Sequence, residues 1–200
     1  MGEQNTRIPA GPSNECIMTE YRSLEDLLAT EMSRRNTDVV AGIIFQKLEL
    51  FGELFGIFTR NEEPASRRAA WVVDTVSERN PELLGPYLAA IIKLLPVFRH
   101  DGLKRHSMRM LARSPLPAGD VEGELMTICF DWLLSPGESI ATKMYCMEIL
   151  YRMSQTEPDL KKELADSIEW RLNEESPGFK SRGKKLLKRL HAEMNTPAKP

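Results

Sequence analysis

Few residues in this 200-residue chain have the types and spacing that catalysis requires. Trp71 and Asp74 are the sharpest pair. Three positions apart on a helix they would share a face and present a carboxylate beside an indole. Their packing alternative places Trp71 in the core and leaves Asp74 as a surface charge near Arg67 or Arg68. The three histidines, His100, His106 and His191, have no Glu-x-x-His partner and no metal-ligand spacing. His100 and His106 flank a helix start and are expected within a basic patch. Ser181-Arg182-Gly183-Lys184 fits Ser-x-x-Lys, but its companion motifs are missing. Neither Gly-x-x-x-x-Gly-Lys-Ser/Thr nor Gly-x-Gly-x-x-Gly occurs, so no loop is marked to cradle phosphate. Trp132 and Trp170 fall near helix ends and are expected to pack rather than to stack on a ligand. No catalytic residue, metal or cofactor is expected from this set.

The cysteines add no chemistry. Cys16, Cys129 and Cys146 are odd in number and show neither Cys-x-x-Cys nor zinc spacing. Free thiols suit a reducing compartment, so a cytoplasmic protein is expected. Cys129 and Cys146 lie in apolar helical patterns and are read as inert core residues. A net charge of −2 excludes a uniformly basic nucleic-acid binder but not a local basic patch. The N-terminus lacks an apolar run long enough for a signal peptide or membrane span. Met1-Gly2 with Thr6 matches the N-myristoylation pattern, which Glu3 fits poorly, and is read as incidental.

The positioning elements read as helices throughout. Residues 1–17, with Pro9, Gly11, Pro12, Ser13 and Asn14, are expected to form a disordered leader, 18–194 a single domain and 195–200 a disordered tail. Met18 stands where order is expected to begin and could be the true start. A short helix is expected over 19–35, using Tyr21, Leu24, Leu27 and Leu28. Thr37 or Asp38 should cap the next helix, whose apolar stripe runs from Val39 to Phe58. Gly52 and Gly56 on it would let a neighbouring helix approach closely. That stripe needs cover, from the helix at 19–35 or from a second copy, so a monomer or weak homodimer is expected. Beyond residue 64, helix-length segments alternate with breaks at prolines. No run alternates with period two, so strands are not expected.

These segments repeat. A small residue followed four positions later by an apolar one occurs at Ala69/Val73, Ser107/Leu111, Cys146/Leu150 and Gly183/Leu187, with spacings of 38, 39 and 37. Three positions before the small residue stand Ser66, Lys104, Lys143 and Lys180. A degenerate period near 38 marks a two-helix repeat, because one helix pair cannot bury its apolar face alone and pairs must stack. Arg67-Arg68-Ala69-Ala70-Trp71-Val72-Val73 resembles the second helix of a HEAT repeat. Asp101-Gly102-Leu103-Lys104-Arg105-His106-Ser107 and the run from Phe179 to Leu187 resemble it too. The third copy, Ile140 to Leu150, departs from the pattern at Met144 and Tyr145. The resemblance covers roughly 38–194 and implies an all-α, right-handed α-α superhelix of about four helix pairs plus an N-terminal helix. One family of alkylated-base glycosylases is built from such repeats, but Trp71 and Asp74 do not match its local motif. The Ser-Ser-x-Met-Pro-x-Lys-x-Asn loop of adenylosuccinate-type lyases is missing.

Charge separates between the two helices of each repeat. By analogy with HEAT-like proteins, the helices with the small residue line the concave face. Inner segments 64–79, 102–113, 138–154 and 178–191 carry +1, +4, 0 and +6, a total of +11. Outer segments 81–96, 119–134 and 157–175 carry 0, −4 and −4, a total of −8. The expected partner-binding residues on the inner face are Arg67, Arg68, Lys104, Arg105, Arg109, Arg113, Lys143, Lys180, Arg182, Lys184 and Lys185. Such a face would attract an acidic partner. Three functions fit: a non-enzymatic scaffold binding a protein, a nucleic-acid-binding or repair protein using the basic face, or a structural role in assembly. No membrane partner is expected.

Overall fold

The computed structural model describes residues 23–195 except Pro117. The expected leader, the choice between Met1 and Met18, the lipidation match, Cys16, Tyr21 and residues 196–200 lie outside the described residues. Among the described residues every regular element is a helix. The chain divides into two compact units, Met1–Val76 and Ser77–Pro200.

The first unit contains α1 (Leu24–Thr30), α2 (Arg34–Gln46), α3 (Phe51–Thr59) and most of α4 (Ala65–Arg79). Two of the expected boundaries move. The helix expected over 19–35 ends at Thr30, because Glu31 is extended and Ser33 starts a new helix. Ser33, not Thr37 or Asp38, is the cap: its hydroxyl accepts the Asn36 N–H at 3.0 Å. Asn36 closes the turn by donating to the Leu27 carbonyl at 2.9 Å. The long stripe is also two helices, interrupted at Lys47, whose N–H still reaches the Ile43 carbonyl, and by a 3-10 turn at Leu48–Leu50. The stripe is buried on both sides of the break, at Val40, Ile43, Ile44, Phe51, Leu54, Phe55, Ile57 and Phe58, while Leu48 in the turn is exposed. The helix packed on α2 is α1, with Leu24, Leu27 and Leu28 buried, so no open apolar stripe remains. Gly56 is not a contact point, since a Cβ built there meets nothing within 4 Å.

The second unit is layered. It continues with a 3-10 segment at Pro81–Tyr87, α5 (Leu88–Leu94), a 3-10 turn at Leu95–Val97, α6 (Asp101–Arg113), α7 (Asp120–Leu134), α8 (Ile140–Met153), α9 (Leu160–Leu172) and α10 (Pro177–Met194). Helices α6, α8 and α10 contact one another in series, α7 and α9 pack on them, and α5 contacts α7. Serines start the inner helices where proline or glycine breaks the chain: Ser139 accepts the Thr142 N–H and Ser176 the Phe179 N–H, each at 3.3 Å. The small residues sit where the layers close, with Ala69, Ser107 and Cys146 fully buried. Cys129 and Cys146 are buried free thiols.

Gly183 shows why that position is small. A Cβ there would lie 3.0 Å from Ile168 Cγ2 and 3.3 Å from Leu172 Cδ2, on the facing helix α9. Gly183→Leu is therefore expected to lower stability by about 1–3 kcal/mol through overpacking. Urea unfolding followed by circular dichroism checks this, and an unchanged midpoint would contradict the close approach.

Candidate interaction surface

The basic residues of the inner helices are sorted by their partners. Lys104 on α6 pairs with Glu138, two residues before α8, and its ammonium also lies 4.9 Å from the Trp132 ring centre. Lys143 on α8 pairs with Glu175, two residues before α10. The two pairs occupy equivalent repeat positions, so each inner helix is joined to the entry of the next by a lysine–glutamate contact. Lys143 is only 2% exposed, and Arg171 joins it on Glu175, donating from Nε at 3.2 Å. Burial alone would raise the Glu175 pKa, but the hydrogen bonds from Lys143 and Arg171 outweigh it and hold the carboxyl below its usual range.

The expected site residues thus separate. Lys143 is buried and Lys104 largely so, which removes both from any binding face. Arg67 pairs with Glu63 at 2.9 Å, and Arg68 donates to the Leu28 carbonyl at 2.7 Å, tying α4 to α1 within the first unit. Arg109 and Arg113 approach Glu78 at 3.1 and 3.9 Å, and Arg182 pairs with Glu148. Arg105, Lys184 and Lys185 are exposed and Lys180 half-buried, with no ion pair or hydrogen bond among the described residues.

Three further expectations are corrected. Asp74 is not a surface charge but fully buried. Trp71 is half-buried and lines, with Arg68, a cleft of only about 10 Å³, which is far too small for a base. His106 is buried rather than part of a basic patch, and His100 caps α6, its Nδ1 accepting the Gly102 N–H at 2.9 Å. Trp170 does not pack: it is 64% exposed, beside the Arg171 guanidinium.

A groove opens between the inner helices of the second unit. It encloses about 490 Å³ and is lined by Ala112 and Arg113 of α6, Ala141, Met144, Tyr145 and Glu148 of α8, and Arg182 of α10. The two alanines leave the space, and Met144 with Tyr145 provides an apolar, adaptable floor. Arg113 and Arg182 stand at its rim. A smaller cleft of about 180 Å³ shares Glu148 and Arg182 with it and runs past Tyr151, Lys185, Leu186 and Arg189. The volume suits one or two side chains of a partner.

Two polar junctions hold the groove walls. Arg152 of α8 donates to the carbonyls of Ala112 at 2.6 Å and Ser114 at 2.7 Å, closing the C-terminal end of α6. Glu193 of α10 accepts from Tyr151 at 2.6 Å and pairs with Lys161 and Arg189 at 3.0 and 3.1 Å. The Tyr151 hydrogen bond, with those of Lys161, Gln155 and Arg189, outweighs partial burial and lowers the Glu193 pKa to about 2. Sequence reasoning missed Ala112, Ala141, Arg152, Tyr151 and Glu193 as site-forming residues. One signal was visible: Met144 and Tyr145, which depart from the repeat pattern, form the groove floor.

Over residues 24–190 the chain matches the family model for the HEAT repeat domain. The chain belongs to the HEAT repeat family. Its all-α, solenoid-like fold follows, and a HEAT repeat domain is a helical-repeat scaffold or interaction module. Neither a curated protein nor a solved structure gives a significant match. Among the described residues no helix of this HEAT repeat protein is long and apolar enough to cross a membrane.

Two outcomes test these contacts. Glu175→Gln leaves Lys143 buried without a counter-charge and is expected to cost about 3–5 kcal/mol of stability, whereas Lys143→Met costs less, because Arg171 still holds Glu175. Urea midpoints of both variants check the order. The second outcome concerns pH. Glu193 binds its proton less readily when folded, so its stabilising effect is complete above the unfolded carboxyl range near about pH 4.3 and is lost as pH falls through about 2. Glu193→Gln should flatten the stability–pH curve in that window; a curve parallel to the parent would remove Glu193 from it.

Proposed function

We propose that this HEAT repeat protein is a non-enzymatic scaffold that holds an acidic segment of a protein partner in the groove between α6, α8 and α10. The observation that carries this reading is the apolar floor of Ala112, Ala141, Met144 and Tyr145 between Arg113 and Arg182. An aliphatic or aromatic anchor would bury against Met144 and Tyr145, and flanking carboxylates would meet the two arginines, competing with Glu78 and Glu148 for them. Arginine suits this task because its planar fork binds a carboxylate with two hydrogen bonds. Nucleic acid is disfavoured here. A phosphate backbone needs a track of available cations, and six of the twelve lysines and arginines on α6, α8 and α10 already face carboxylates. The partner-binding set is accordingly Arg113 and Arg182 on the groove, with Lys185 and Arg189 along the adjoining cleft.

The test uses fluorescence polarisation with labelled twelve-residue peptides carrying a central leucine or phenylalanine among glutamates, alongside single-stranded and duplex DNA. Peptide binding is expected at moderate salt, and Ala141→Trp, which fills the groove, should weaken it about tenfold or more. DNA binding that is tighter than the peptide's and unaffected by Ala141→Trp would overturn the reading. So would peptide binding that Ala141→Trp and Arg113→Glu leave unchanged.

A further inference from the structure

The inner helices of the second unit repeat one contact stripe, and among the described residues α10 presents that stripe without an ion-pair or hydrogen-bond partner. The stripe contains the residues three before, one after and five after the small position. On α6 it is Lys104, Met108 and Ala112, and it meets α8: Lys104 pairs with Glu138, and Ala112 accepts from Arg152. On α8 it is Lys143, Met147 and Tyr151, and it meets the α10 segment: Lys143 pairs with Glu175, and Tyr151 donates to Glu193. Met108, Met147 and Tyr151 are buried. On α10 the same stripe is Lys180, Lys184 and Lys188, with Lys184 and Lys188 exposed where the other helices carry apolar or aromatic side chains. None of the three has an ion pair or hydrogen bond among the described residues. At 1.5 Å per residue they span about 12 Å of one helix face.

The register of the repeat says what fits there. In both completed steps the lysine receives a carboxylate from the residue two before the arriving helix. The exchange is also consistent where it is missing: the first copy has Ser66 at the lysine position, and the residue that would answer it in the next copy is Arg99, not an acid. Lys180 keeps the donor half of the contact. The two positions beyond it are charged, so an apolar helix would strand two ammonium groups in the interface. An acidic helix would not.

We infer that the Lys180–Lys184–Lys188 face of α10 is a second docking surface, which takes an acidic helical segment of a partner protein and seats one of its carboxylates on Lys180. This site is separate from the groove and stands or falls independently of it. The probe is a fluorescein-labelled alanine-rich helical peptide with a glutamate at every fourth position, compared with the same peptide carrying glutamines. The full chain should bind the glutamate peptide at low ionic strength and not the glutamine peptide. Lys184→Glu and Lys180→Met should each weaken binding about tenfold, while Lys93→Met, at an exposed lysine of α5, and Ala141→Trp, in the groove, should change it little. Equal losses in Lys180→Met and Lys93→Met would mean diffuse attraction and overturn the assignment. So would an unchanged affinity in Lys184→Glu, or a twelve-nucleotide single-stranded RNA that binds more tightly than the peptide in the same buffer. Circular dichroism and urea midpoints show whether each variant is folded; Lys184 is exposed, so Lys184→Glu is the variant expected to keep the parent midpoint.

Discussion

The buried contact between a lysine of one inner helix and a glutamate at the entry of the next is the constraint on which the second unit depends. Removing Lys143 and Glu175 from water costs several kcal/mol per ion, which their attraction offsets only when the geometry is good and further hydrogen bonds are made. Arg171 supplies one of them. Such a contact adds little net stability, but it tolerates little displacement, so it sets register. The partners are 34 residues apart for Lys104 and Glu138 and 32 for Lys143 and Glu175, one helix pair in each case. The period of the sequence therefore has a physical cause in addition to apolar stacking: each new pair must present an acid where the last pair left a base.

This constraint changes the meaning of the charge pattern. An inner layer of strongly positive sequence suggests a basic surface, yet much of that charge is turned inward or sideways and neutralised. The inter-helix loops supply Glu138 and Glu175, and the inner helices themselves supply Glu78, Glu148 and Glu193. What has no ion pair or hydrogen bond among the described residues is local: Arg105 on α6, and Lys180, Lys184, Lys185 and Lys188 on α10. Available charge is thus concentrated toward α10 rather than spread along the layer.

The groove arises from a packing irregularity. Ala112 and Ala141 are too small to close the gap between α6 and α8, and Met144 and Tyr145 cover its floor without filling it. Arg152 and Glu193 keep the walls in place through hydrogen bonds to the neighbouring inner helices. A scaffold of this kind needs no moving part and no cofactor to present a binding surface; it needs helices whose spacing is fixed elsewhere.

The sequence by itself determined the helical class, the repeat and the inner helices to within a few residues. These follow from local causes: apolar spacing, serine caps, proline and glycine breaks, and a small residue wherever two helices must approach, as at Gly183. It misled at the ends of α1 and α2, because apolar periodicity runs through the turn at Lys47, and a stripe can be buried on both sides of a break in the helix carrying it. Only the tertiary structure decided which charges are free. Lys143 and Lys180 have the same residue type and the same repeat position, but one meets Glu175 across a helix pair and the other has no ion pair or hydrogen bond among the described residues. It also decided that Asp74 is interior and Trp170 exterior. A residue's type and phase say which face of a helix it occupies; whether that face is covered, and by what charge, depends on a helix more than thirty residues away.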